Sequence, residues 1–233
     1  SLWIDFAGWS SNWCAFLSGT KKGVLTVGVL PSQAVGIIPK ATVRFIQLNP
    51  KIRIQVVEKP RVDLKPALMR GEFEFVVSVI ELDVESDIEQ RVLFYDRPSI
   101  IVRSDHPITK IKRITPKRLL KFNWILPRAE ADHRIHMEKY FNSFNSQLPK
   151  PVIESQSVPY TKSVVMNSDS IGILPNDMPT VEERSGLIEK VDLDGSPPAR
   201  AIGILFRSDH PLSMPSRLLI TEIQNTITGS AST

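Results

Sequence analysis

The sequence predicts an α/β chain of two Rossmann-like lobes joined by two crossing segments. Three observations carry that class. From residue 23 onward, short Val- and Ile-rich runs alternate with segments whose apolar residues recur every three or four positions. The apolar runs are nearly continuous, as in strands covered on both faces. A chain of 233 residues can also hold two lobes of roughly 100 residues each.

The first strand is GVLTVGVL, with Val24, Leu25, Val27 and Val29 as its apolar body. Positions 34, 38, 41, 45 and 48 then form one helical stripe, with Ser32 as the expected N-cap and Asn49-Pro50 as the stop. A strand at 52–58, a short helix at 62–70 closed by Gly71, and a strand at 73–80 complete a βαβαβ unit with a parallel sheet. A long extended stretch at 92–104 leads into a helix near 116–121, a strand at 122–126 and a helix over 133–144. Strands at 151–156 and 170–175 flank a helix at 160–167. A turn at Gly186, strands at 187–193 and 202–206, and a final helix near 213–227 finish the chain. The last helix has the pattern of one that returns to pack on the first sheet. This gives lobe I as 23–96 with 207–229 returning to it, and an inserted lobe II as 97–206. Residues 1–22, with three of the four tryptophans, read as a linker remnant or appended sequence.

Composition excludes several classes. Hydrophobic residues are 42% and charged residues 23%, and no apolar run approaches the length of a membrane span. Cys14 is the only cysteine, so there is no internal disulfide and a cytoplasmic setting is expected. The net charge of +4 does not by itself indicate nucleic acid, although KIKRITPKRLLK at 110–121 is strongly basic. No GxSxG, HExxH or glycine-rich phosphate loop is present, so neither an enzyme nor a cofactor is expected. His133 and His136 share a helix face without a third ligand, which argues against a metal and for polar groups at a helix start.

The pentamer Arg-Ser-Asp-His-Pro occurs twice, at 103–107 and 207–211. Adjacent Asp and His side chains on an extended segment point to opposite faces, which disfavours an acid–base pair. Strand exit is the better reading: Ser104 or Asp105 accepts backbone N–H groups as a turn opens, and Pro107 stops the strand.

Binding has stronger support. Ser32 and Gln33 follow the first strand, Lys59, Pro60 and Arg61 the second, and Ser78 and Val79 end the third. Ser155, Gln156 and Ser157 follow a strand of the second lobe. Carboxyl ends of parallel strands are where open α/β sheets take ligands, and hydroxyls with helix-start N–H groups suit a carboxylate or phosphate. The plainer role of each serine is helix capping.

Taken as a set, GVLTVGVL…IIPKATVRFIQLNP, LKPALMRGEFEFVV, IEQRVLFYDRPSIIVRSDHPI, SIGILP and GLIEKVDL resemble the effector-binding domain of LysR-type transcriptional regulators, over about residues 23–228. The usual glycine-x-x-aspartate is here Gly71 with Glu74, and the usual paired glycines are Ser168 and Ser170. The resemblance implies a type 2 periplasmic-binding-protein-like fold with a small organic acid or sugar acid in an inter-lobe cleft. That cleft would be lined by Ser32, Gln33, Lys59, Arg61, Ser78, Val79, Ser155, Gln156 and Ser157, and His133, a polar group at a helix start, is a further candidate to line it. It also implies a homodimer or tetramer whose DNA contact comes through an N-terminal helix-turn-helix outside this chain. The alternative is a solute-binding protein of a transport system, which calls for a secretory leader or a lipidation cysteine. A two-lobed transferase or dehydratase would need a convergent catalytic group that the sequence does not offer.

Overall fold

The computed structural model describes residues 24–80, 86–175 and 181–230. The reading of residues 1–22, Cys14 included, lies outside the described residues. The chain divides into two compact units, one running to Leu93 and resuming at Gly203, the other spanning Phe94–Ile202.

In the first unit, β1 (Val24–Val29) is followed by α1 (Ile37–Leu48), β2 (Arg53–Glu58), α2 (Arg61–Met69) and β3 (Phe75–Val79). Strands β2 and β3 both pair parallel with β1, as the βαβαβ pattern predicts. The sheet runs β2-β1-β3-β10-β4, with β4 (Ile88–Asp96) and β10 (Arg200–Arg207) carrying the chain between units. Leu25, Val27, Val29, Phe75 and Val77 are buried in it, and the final helix, α7 (Met214–Ser230), packs on α1.

Helix α1 starts later than expected. Its N-cap is Gly36, with no side-chain cap, so Ser32 does not cap it. Pro39 favours the shift: it lacks an N–H and costs a helix least in the first turn, where no intrahelical partner is needed, although α2 does carry Pro66 in its interior. A helix starting at Gln33 would put that proline in its interior. Residues 31–36 instead form successive turns, with Gln33 and Ala34 donating to the Leu30 carbonyl. Gly71 closes α2 at φ +73°. Glu74 accepts the hydroxyls of Ser213 and Ser216 at 2.5 Å each, placing a carboxylate at the start of α7, where the helix dipole favours it.

The expected single stretch at 92–104 is two strands. Strand β4 stops at Asp96 and β5 (Pro98–Arg103) joins a different sheet. Next come α3 (Pro116–Leu119), β6 (Trp124–Leu126), α4 (Asp132–Ser143), β7 (Ile153–Glu154) and α5 (Val158–Met166). Strand β8 (Ile171–Pro175), α6 (Val181–Arg184) and β9 (Ile188–Lys190) complete the second unit, whose sheet runs β7-β6-β8-β5-β9. This sheet is mixed: β6 pairs parallel with β7 and β8, whereas β5 pairs antiparallel with β8 and β9.

Alternation along its strands divides the apolar residues between two faces. Ile100, Val102, Trp124, Leu126, Ile171 and Ile173 pack with Phe141 in one cluster, while Ile101, Ile125, Leu174 and Ile188 pack with Val158 and Val165 in another. That double burial is why these strands read as unbroken apolar runs. No helix among the described residues is long and apolar enough to cross a membrane.

Candidate functional site

In each unit the strand order reverses beside the first parallel strand, β1 in one and β6 in the other. Loops leaving the carboxyl ends of strands at such a point are the usual ligand positions of open α/β sheets. In the first unit the loop after β1 is joined to β3 by a bond from Leu30 N to the Val77 carbonyl. Ser32, Gln33, Ser78 and Val79 are all buried there. Gln33 is 2% exposed, and its Nε2 has no hydrogen-bond partner among the described residues. An unmade buried donor costs about 1–3 kcal/mol, which a ligand oxygen would recover.

Lys59 is already engaged. Its Nζ lies 3.2 Å from Glu72 Oε2 and over the Phe73 ring. The hydrogen bonds from Arg70 and Lys59 hold the Glu72 carboxyl below its ordinary range. Arg61 is the first residue of α2, after the N-cap Pro60.

In the second unit, the carboxyl ends of the parallel strands β6 and β7 open onto a pocket of about 260 Å³ lined by Arg128, Glu154, Ser155 and Gln156. The sequence reading included two of these and missed Arg128 and Glu154. Glu154 would repel an anion, but Arg134 Nη1 lies 3.5 Å from its Oε2 and also bonds the Pro127 carbonyl. Arg128 is exposed and forms no ion pair among the described residues. Arg134 also meets Glu138, its Nε 3.1 Å from Oε1, so the two arginines balance the two glutamates and Arg128 is the cation left exposed.

Ser157 caps α5 by accepting from Tyr160 N at 3.3 Å, and Ser155 Oγ accepts from Ser157 N at 3.2 Å. Capping and binding are compatible, because each hydroxyl keeps its proton to donate.

His133 is turned inward. Its Nε2 lies 2.5 Å from an Arg200 Nη2, which is itself 2.8 Å from Asp96 Oδ2. The same imidazole nitrogen lies 3.5 Å from Asp96 Oδ2, so His133 stands between the guanidinium and the carboxylate. Burial, with the Arg200 charge beside it, pushes the His133 pKa down. For Asp96, burial raises the pKa, but neighbouring His133 and Arg200 outweigh it and hold the carboxyl below its ordinary value. Asp96 Oδ1 is buried without a hydrogen-bond partner among the described residues. This cluster joins the last residue of β4 to the first of β10. Opposite charges at the ends of apolar strands, in FYD and in PAR ahead of AIGILF, were the available sequence signal. His136 Nδ1 donates to the Asp132 carbonyl, and no group of three metal-ligating side chains occurs among the described residues.

The pentamers are not a paired site. His106 is fully buried, whereas His210 is exposed. The cap at the first copy is His106 itself, in place of Ser104 or Asp105: its Nδ1 accepts from Ile108 N at 3.1 Å. The ring can swing over its own turn because Pro107 fixes the following backbone.

Comparison with known proteins identifies the family and the fold. A family model described as the LysR substrate binding domain matches residues 18–227. The HTH-type transcriptional regulator GalR of Pseudomonas putida is 29% identical over 216 residues, 92% of this chain. The chain spans only 54% of that regulator's length. The regulatory domain of Synechocystis CcmR superposes with a TM-score of 0.74 at 18% identity, covering 88% of this chain and 97% of that one. The effector-binding domain of QuiR gives 0.71 at 16% identity, covering 87% and 96%. A family-model match over residues 18–227, nearly the whole of this two-unit chain, establishes that the chain belongs to the LysR substrate binding domain family.

Proposed function

We propose that the chain senses a small organic acid and passes its presence to the subunit arrangement of a transcriptional regulator. LysR regulatory domains are not catalytic, and the role of this one is to bind. The observation that carries the reading is the pocket of about 260 Å³ in the second unit, where Arg134 offsets part of the Glu154 charge and Arg128, without an ion pair among the described residues, is left to meet an anion. Its size suits a ligand of a few carbons.

Ser155, Gln156 and Ser157 supply hydroxyl and amide donors, and Gln33 beside Ser32, Ser78 and Val79 supplies a buried donor in the first unit. Lys59 and Arg61 add positive charge near the end of β2. His133 acts through Arg200 and Asp96 rather than by touching the ligand. Two solved relatives support a small-molecule effector: the CcmR regulatory domain was solved in complex with 2-PG and the QuiR effector-binding domain in complex with shikimate. A ligand shifts the arrangement only by binding one form better than another. In the full regulator, a homodimer or tetramer in the cytoplasm, DNA contact would come from a helix-turn-helix outside this chain.

Calorimetric titration with aromatic, sugar and keto acids tests the proposal. At least one acid should bind, and Arg128→Ala and Ser157→Ala should each weaken it by about 10-fold or more, the worth of a charge-assisted hydrogen bond. If no acid binds, or if both variants bind like the parent, the reading fails.

A further inference from the structure

The segment from Pro107 to Lys121 sorts its side chains cleanly. Ile108, Ile114, Pro116 and Leu119 are buried, and Ile108, Ile114 and Leu119 sit in the core cluster with Trp124. Lys110, Lys112, Arg113, Lys117, Arg118 and Lys121 are all exposed. The backbone is held in place: Ile114 bridges Leu193, its carbonyl accepts Asp194 N at 3.0 Å, and Trp124 Nε1 donates to the Leu119 carbonyl. None of the six cations is ion-paired to a described acid, although Asp192 and Asp194 flank Leu193 on the adjoining segment. The result is a rigidly mounted surface of six positive charges within twelve residues.

We infer that this surface binds the phosphate backbone of duplex DNA without sequence preference. Charge and the absence of an apolar centre favour that partner. Protein–protein interfaces need a desolvated, largely apolar core, and the one large apolar side chain exposed within 110–121 is Leu120. A phosphate lattice needs only spaced cations, through which counterions are released. Half-buried Phe122 packs against His106 and under Lys121, so it offers no stacking platform for single-stranded bases. The inference rests on the regulator reading only in supplying duplex DNA as the polyanion at hand.

Fluorescence anisotropy with the whole chain and a random-sequence duplex tests it. Affinity should fall about 100-fold between 50 and 200 mM salt, as expected for about four neutralised phosphates. The triple reversal Lys112→Glu, Arg113→Glu and Lys117→Glu should weaken binding by at least about 30-fold. Reversing Lys139, Lys150 and Arg184, exposed on the same unit, should weaken it far less despite an equal change in net charge. No duplex binding by the parent chain, equal losses in the two triple variants, or tighter binding to poly-glutamate than to duplex would each overturn the inference. The organic-acid titration is read separately on the same proteins. Its failure with the parent chain sinks the effector reading alone, whereas its loss only in the first triple variant would mean a damaged domain and overturn the patch assignment.

Discussion

The two copies of Arg-Ser-Asp-His-Pro have the same five residues and nearly opposite energetic roles. In the first, His106 is fully buried; its Nδ1 accepts from Ile108, its Nε2 lies 3.2 Å from the Asp169 carbonyl, and its ring packs 4.6 Å from Phe122. Arg103 bonds Asp169 and Asp105, and Ser104 donates to the Gly186 carbonyl. In the second, Ser208, Asp209 and His210 are exposed, and the chief tethers run from Ser208 to the carbonyls of Ser86 and Asp87. The first exit is wrapped by the β8 and β9 turns of its own unit; the second leads through a short open link to α7. Identical local chemistry acquires its weight from whatever surface lies against it.

The largest expected difference is between the two histidines. His106→Ala removes a cap, a second hydrogen bond and a packed ring, and should destabilise the chain by about 2–4 kcal/mol in urea denaturation. His210→Ala should stay within about 0.5 kcal/mol of the parent. Comparable losses would break the contrast.

Acid should sharpen it. Burial pushes the His106 pKa below its ordinary value of 6.5, so the unfolded chain takes up the proton first. The stability that follows from this is whole above about pH 6.5 and is lost as pH falls below it, by at most ~1.4 kcal/mol per pH unit for one proton. The gap between parent and His106→Ala should therefore narrow from pH 7.5 to 5.5, while His210→Ala follows the parent. His133, also pushed down by burial, gives both proteins a shared acid slope. A gap that stays constant with pH would remove the capping role of the neutral ring.

The smallest effect concerns the serines. Ser104→Ala should cost about 0.5–1.5 kcal/mol and Ser208→Ala the same or less, because both acceptor groups can turn to water. A larger loss at Ser208 would mean that the second exit is better supported than its exposure suggests.

Most element types were legible because apolar period reports directly on burial. The run SIGILP reads as a doubly covered strand and is one, β8. Boundaries were less legible where one residue's covalent limits compete with a capping signal: Pro39 favours a later start than Ser32 does at α1. The serine and glutamine members of the candidate site follow from strand-end position alone. Arg128, the Arg134–Glu154 pair and the Asp96–Arg200–His133 cluster do not, since residues 96 and 200 are brought together only by pairing β4 with β10.

By itself, then, the sequence determined the α/β class, the order of elements, the family resemblance and the turn at each pentamer, because periodicity, proline and glycine act locally. Only the tertiary structure decided which polar groups are buried, which charges are neutralised, and which of two identical pentamers holds a core histidine. Those properties depend on neighbours from distant parts of the chain, and desolvation is set by the whole packed surface around a group rather than by its own segment.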